Sequence, residues 1–300
     1  MSIPQWVCKI RHSGKKIFSQ SNQDGKLEFI FENLEKYNKL NNDKFCVEFG
    51  YNSDTITGGS GPNTTNLINN HNFNHLLIDI EYENPSINLF KHHLTSDNIC
   101  NIFKKYNVPY EPWYVSIDVD SVDLWLLKAI LNEYKPYVIT IEYNAHFPKD
   151  NAITFRDVGE EPAGNSNRVY GASLKAIDMV AKEMGYSIVE LEIGLDAFLI
   201  RNDLIENQNI NRELIFSDGY TTAINWHPPQ FESLRGLNVF IDYEEYLKTN
   251  DIEKSRNKAL SIVKKYIYRV IPNDQRNKEA VIYGTTTPRN LFTDEDLVYL

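Results

Sequence analysis

In three places the chain ends a run of β-forming residues in acids or amides: Asp79 and Glu81 in LLIDIE, Asp118 and Asp120 in YVSIDVD, and Glu142 with Asn144 in VITIEYN. Side chains alternate along a strand, so each pair two residues apart shares a direction. Converging carboxylates repel one another. They are tolerated where a cation, a hydroxyl-rich ligand or a raised pKa offsets the repulsion. Mg²⁺ or another divalent cation is one such partner for a group of oxygen ligands. Asp123 stands at the start of the following helix, where its charge meets the helix dipole. Helix capping is the bland account of any one such acid, and a weaker account of all three places at once.

Proton-handling groups lie nearby in sequence. His146 follows the IEYN segment, and an imidazole titrates in the range a general base needs. His227 in NWHPPQ is its rival, held on an irregular segment by the two prolines after it, with Trp226 beside it. Asp120 is the candidate base if no metal is used. Arg156 and Arg168 fall in a long polar stretch and are candidates to grip an anionic acceptor.

The elements that must position these residues follow from periodicity. Residues 19–38 carry Leu27, Ile30, Phe31 and Leu34 at helical spacing. Strands are expected at 44–50, 76–81, 113–120 and 136–144, and two consecutive strands across 187–202. Helices are expected at 84–94, 96–107, 121–134 and 170–186, the last closed by Gly185. A long polar loop spans 145–168. Alternating strands and helices imply a doubly wound parallel sheet, and the strand interiors are nearly continuous apolar runs, as burial on both faces requires. The final strand pair breaks the rhythm and implies an antiparallel strand near the end. In open sheets of this kind ligands bind outside the carboxyl ends of the strands, where the acids stand. Residues 1–204 form this domain. Residues 205–300, with helices expected at 241–249 and 252–267, form a C-terminal appendage: a lid or a homo-oligomer contact.

The chain has 300 residues and a net charge of −10. That charge argues against sequence-independent binding to nucleic acid or to an anionic membrane. No segment has the apolar length of a membrane span or of a signal peptide's core. Cys8, Cys46 and Cys100 share no metal-ligand spacing and are odd in number, which fits reduced thiols in a cytoplasmic protein.

VEFG at 47–50 resembles the first motif of class I methyltransferases that use S-adenosylmethionine. In that motif an acid, here Glu48, lies near the end of the first strand, and a glycine, here Gly50, admits the cofactor to the backbone. The run CVEFG, LLIDIE, SIDVDSVDLWLLKAI, VITIEYN, YGASLKAIDMVAKEMGY and DAFLIRNDL, over roughly residues 18–204, resembles the FkbM-type methyltransferases. The resemblance implies a Rossmann-like α/β sheet of seven strands, S-adenosyl-L-methionine as methyl donor, and a hydroxyl of a sugar or similar small polar molecule as acceptor. It implies that Asp79, with Glu81 second, holds the ribose hydroxyls, and that Asp118 lies against the cofactor. Gln23 and Asp24 become candidates for the methionine end, and Asn98 for the adenine. It further implies a divalent cation at Asp118, Glu142 and Asn144 that binds the acceptor oxygen. The glycine pattern departs from the family. Gly50 stands alone, and Gly58, Gly59 and Gly61 lie too far along to form the same tight turn. Two other classes therefore stay open: a metal-dependent glycosyltransferase using the Asp-x-Asp of IDVD, and a degenerate, non-catalytic binding domain.

Overall fold

In the computed structural model the chain is described over residues 6–57, 59–145, 147, 149–157, 170–205 and 239–263. Apolar runs become strands β1 (Phe45–Phe49), β2 (Asn74–Asp79), β4 (Tyr114–Ile117), β5 (Val138–Glu142), β7 (Tyr186–Leu191) and β8 (Asp196–Arg201). With β3 (Leu89–Lys91) they form one seven-stranded sheet of order β3-β2-β1-β4-β5-β8-β7. The first five pair in parallel. β8 runs antiparallel to both β5 and β7. This is the doubly wound, Rossmann-like arrangement, with the break in rhythm where the last two strands follow one another.

Both faces of the sheet are covered. Alternate strand residues such as Val47, Phe49, Val115 and Ile139 pack against helices α3 (Ile99–Lys105), α4 (Asp123–Glu133) and α5 (Leu174–Glu183). The opposite face, with Cys46, Tyr114 and Val138, meets Leu27, Ile30, Phe31 and Leu34 of α1 (Gln23–Tyr37) and Leu67 of α2 (Thr65–His71). The apolar stripe expected on 19–38 is thus the buried face of α1. Among the described residues no helix is long and apolar enough to cross a membrane.

Two local expectations change. Residues 84–94 are not a helix. Asn84 and Pro85 open a single 3-10 turn over Pro85–Ile87, Asn88 takes φ 50°, and Leu89–Lys91 then adds β3 to the sheet edge. The apolar run there is too short for periodicity to separate helix from strand, and backbone pairing with β2 decides it. The stretch 145–168 holds a strand, β6 (Ile153–Phe155). It pairs antiparallel with β9 (Phe240–Asp242), a segment far away in sequence. Helices α6 (Tyr243–Thr249) and α7 (Ile252–Val263) follow β9. Asp242 caps α6 by accepting from the Glu245 N–H at 2.8 Å. Trp125 of α4 donates its indole N–H to the Phe155 carbonyl at 2.7 Å and makes edge contacts with Tyr243 and Tyr246. Residues 239–263 are thereby tied to the sheet domain through β6 and α4.

Candidate active site

The carboxyl ends of β1, β2, β4 and β5 open into two adjoining hollows. The larger, about 660 Å³, is lined by Asp79, Ile80, Glu81, His93, Leu94 and Val119 among others. The smaller, about 30 Å³, is lined by Gln23, Glu48, Asn63, Ser116, Glu142 and Asp196 among others. Gly50, Ser60 and Asp118 line both, so the hollows meet at the ends of β1 and β4. Gly50 has φ +68°, and a Cβ there would stand 2.1 Å from the Asp118 carbonyl oxygen. Only glycine lets β1 turn so close to β4.

The acids at the strand ends behave differently from one another. Asp79, at the end of β2, accepts backbone N–H groups from Asn52 (2.8 Å), Glu81 (2.7 Å) and Tyr82 (3.0 Å). Its carboxylate shapes the loop. Glu81 is exposed, lines the larger hollow, and its carboxylate accepts from no described residue. Glu48 is buried and accepts from the N–H groups of Asn63 (2.7 Å) and Thr64 (3.0 Å) and from the Thr64 hydroxyl. Burial pushes the Glu48 carboxyl up to about 7 against those bonds, which pull it down. Glu48 thus fastens the end of the glycine-rich loop to β1.

Asp118, Asp120 and Glu142 each offer a carboxylate oxygen within 4.8 Å of the others. Burial, then the neighbouring charges of Asp123 and Asp120, pushes Asp118 well above the usual carboxylate range. Burial and the Asp118 charge do the same to Glu142, and burial raises Asp120. The Glu142 Oε2 is buried without a hydrogen-bond partner. Asp120 sits at φ +57°, a turn that brings its side chain back beside Asp118. Asp123 accepts the Val119 and Ser121 N–H groups, both at 2.8 Å, and burial lifts it to about 6. It stands in the first turn of α4, as expected, but its carboxylate is taken up by the turn before the helix. Asn144 is buried and donates its side-chain amide to the Tyr170 carbonyl at 2.9 Å.

The N-terminal candidates separate. Gln23 lines the smaller hollow and donates to Asp196 at 2.9 Å. Asp24 instead gathers the N–H groups of Ile17, Phe18 and Ser19 on one oxygen, each at 2.7 Å, and lines neither hollow. Asn98 accepts the Thr95 N–H at 2.9 Å and donates to the His93 carbonyl at 2.8 Å, just ahead of α3, and also lines neither. Arg156 follows β6, its backbone N–H on the Val239 carbonyl at 2.7 Å. His146, His227, Arg168 and Trp226 lie outside the described residues.

Several residues of the site carried no sequence signal. Asn63 donates to Ser116 Oγ (3.1 Å) and Asp196 Oδ2 (3.3 Å), while its Oδ1 is buried without a partner. Asp196 opens β8 directly opposite Glu142 in the antiparallel register. Pairing the two closing strands with β5 would have pointed to it; nothing marked Asn63. Gln20 donates its backbone N–H to the Gly61 carbonyl at 3.0 Å, so the segment before α1 rests on the glycine-rich loop. That segment is anchored again where Ser21 donates its hydroxyl to Glu192 at 2.7 Å.

No protein-family model and no curated protein matches this chain. Solved structures do. An O-methyltransferase family protein from Burkholderia thailandensis is 12% identical with a TM-score of 0.33, over 65% of this chain and 66% of that one, just under two thirds of its length. TrmK of M. capricolum, in complex with the cofactor product S-adenosyl-homocysteine, is 15% identical with a TM-score of 0.30, over 78% of this chain and 97% of that one. Phosphoethanolamine N-methyltransferase 2 of Haemonchus contortus is 12% identical with a TM-score of 0.25, over 85% of this chain and 51% of that one. Scores of this size carry no argument by themselves, and the fold stands on its own strand order.

Proposed function

We propose that this chain is an S-adenosylmethionine-dependent methyltransferase of the FkbM-like kind. The observation that carries the reading is the pair of hollows meeting at Gly50, Ser60 and Asp118 across the ends of β1, β2 and β4. The larger suits an adenosine, and the smaller, bordered by amides and carboxylates, suits the polar end of an amino-acid tail. Glu81 holds the ribose hydroxyls, since a carboxylate accepts two hydrogen bonds from a diol. Asp79 shapes the loop that presents it. Gln23 lies at the amino-acid end.

The acceptor in this reading is a hydroxyl of a sugar or similarly polar small molecule. Its oxygen forms a bond to the methyl carbon as the carbon–sulfur bond breaks, and the sulfonium leaves as a neutral thioether. The protein holds donor and acceptor in line and takes the hydroxyl proton. When no cation is bound, Asp120, which lines the larger hollow, accepts it; His146 and His227 are further candidates from the sequence. The close approach of Asp118, Asp120 and Glu142, with a buried partnerless oxygen on Glu142, fits a divalent cation. When bound, such a cation would lower the pKa of an acceptor hydroxyl. Residues 1–204 are the catalytic domain and 205–300 its appendage, fastened through the β6–β9 pair.

Thermal-shift titration tests this with S-adenosylhomocysteine against UDP- and GDP-sugars, each with and without Mg²⁺. Stabilisation by S-adenosylhomocysteine alone is expected. A shift with nucleotide sugars and Mg²⁺ would make the chain a glycosyltransferase, and no shift with any ligand would leave a non-catalytic domain.

A further inference from the structure

We infer that the carboxylates where the two hollows meet select the charged methyl donor over its neutral by-product, with Glu142 and Asp118 as the specificity-determining residues. The inference rests on the donor proposed above and concerns the site free of a divalent cation. S-adenosylmethionine and S-adenosylhomocysteine differ by one methyl group and one positive charge on sulfur. A ligand with its adenosine in the larger hollow and its amino-acid tail in the smaller places that sulfur at the junction, beside Asp118.

The smaller hollow is lined by Glu48, Asp118, Glu142 and Asp196, with no lysine, arginine or histidine among the described lining residues. Lys26, whose charge reaches Asp196, donates to the Leu191 carbonyl at 2.7 Å and pairs with Glu192 at 3.0 Å. A separate feature also points to a ligand: Asn63, only 7% exposed, holds its Oδ1 without a partner in the same lining. With Glu142 Oε2 this makes two buried acceptors that no donor satisfies. Such a lining favours a positive centre, because attraction is weakly screened away from water and partnerless acceptors are costly. Methyl transfer then cancels the charge that helps to hold the ligand, and the by-product leaves.

The test is calorimetric titration of the full chain at neutral pH, in chelator, with S-adenosylmethionine, S-adenosylhomocysteine and sinefungin, whose protonated amine carries the charge. The two charged ligands should bind about tenfold tighter than S-adenosylhomocysteine. Glu142→Gln and Asp118→Asn, nearly isosteric, should bring the ratio close to one while thermal unfolding shows both variants folded. Equal binding of all three ligands to the wild type, or a ratio that survives both substitutions, overturns the inference alone. No binding of any of the three overturns the donor assignment together with it.

Discussion

Asp79 ends β2 and Glu81 follows two residues later, yet the structure predicts opposite consequences for removing them. Asp79→Ala deprives three backbone N–H groups, on Asn52, Glu81 and Tyr82, of a charged acceptor. A hydrogen bond to a charged group contributes about 1.5–3 kcal/mol, and water can partly replace it on the exposed donors Asn52 and Glu81. The net loss of stability should therefore be about 3 kcal/mol, visible in urea unfolding, with weaker S-adenosylhomocysteine binding as the loop loosens. Glu81→Ala removes a carboxylate that accepts from no described residue and stands exposed on the larger hollow. Its stability should stay within about 0.5 kcal/mol of wild type, as for other surface changes. Losing two hydrogen bonds to a diol should still weaken S-adenosylhomocysteine by about 10–100-fold in calorimetry. An unchanged affinity in Glu81→Ala would remove that residue from the ribose and refute the assignment. A stable Asp79→Ala variant would refute the structural role given to its three hydrogen bonds.

Further expectations come from neighbouring features. Gly61 has φ +112°, and a Cβ there would lie 2.4 Å from the Gln20 backbone nitrogen. Gly61→Ala should therefore cost about 2–4 kcal/mol of stability through strain and overpacking, and weaken cofactor binding as the segment before α1 lifts; urea unfolding within 0.5 kcal/mol of wild type would contradict this. Glu48 has a folded pKa of about 7 against an ordinary 4.5, so between those pH values the folded state binds more protons than the unfolded one. Its contribution is full below pH 4.5 and is lost as pH rises to about 7. Relative to wild type, Glu48→Gln should gain on the order of 2–3 kcal/mol between pH 5 and 8, and parallel stability profiles for the two proteins would count against the buried-acid reading. Trp125→Phe removes the bond to the Phe155 carbonyl and should cost about 1 kcal/mol, with faster proteolysis around β9 as the second readout.

The parallel strands were legible because burial on both faces demands near-continuous apolar runs, and CVEF, YVSI and VITI are of that kind. The helix stripe on 27–34 was legible for the complementary reason, since one face only is buried. Residues 84–94 were misread because INLF satisfies either period over so short a span, and an edge position beside β2 decided it. β6 was hidden because three residues of strand carry too little pattern, and its partner β9 lies outside any local window. The candidate site divides in the same way. Acids that end strands are visible as acids, but whether a carboxylate is taken up by loop N–H groups, as that of Asp79 is, or stays open to a hollow, as those of Glu81 and Glu142 do, depends on which backbone N–H groups fall within reach.

By itself the sequence determined the class of fold and the edge of the sheet where polar groups collect, because hydrophobic period and strand-end chemistry are local properties. Tertiary structure alone decided which of those groups share a pocket. The glycine-rich loop, the segment before α1 and the opening of β8 are distant in the chain. Only sheet pairing sets Asp196 opposite Glu142, and only the fold's close approaches bring Asn63 against both Ser116 and Asp196.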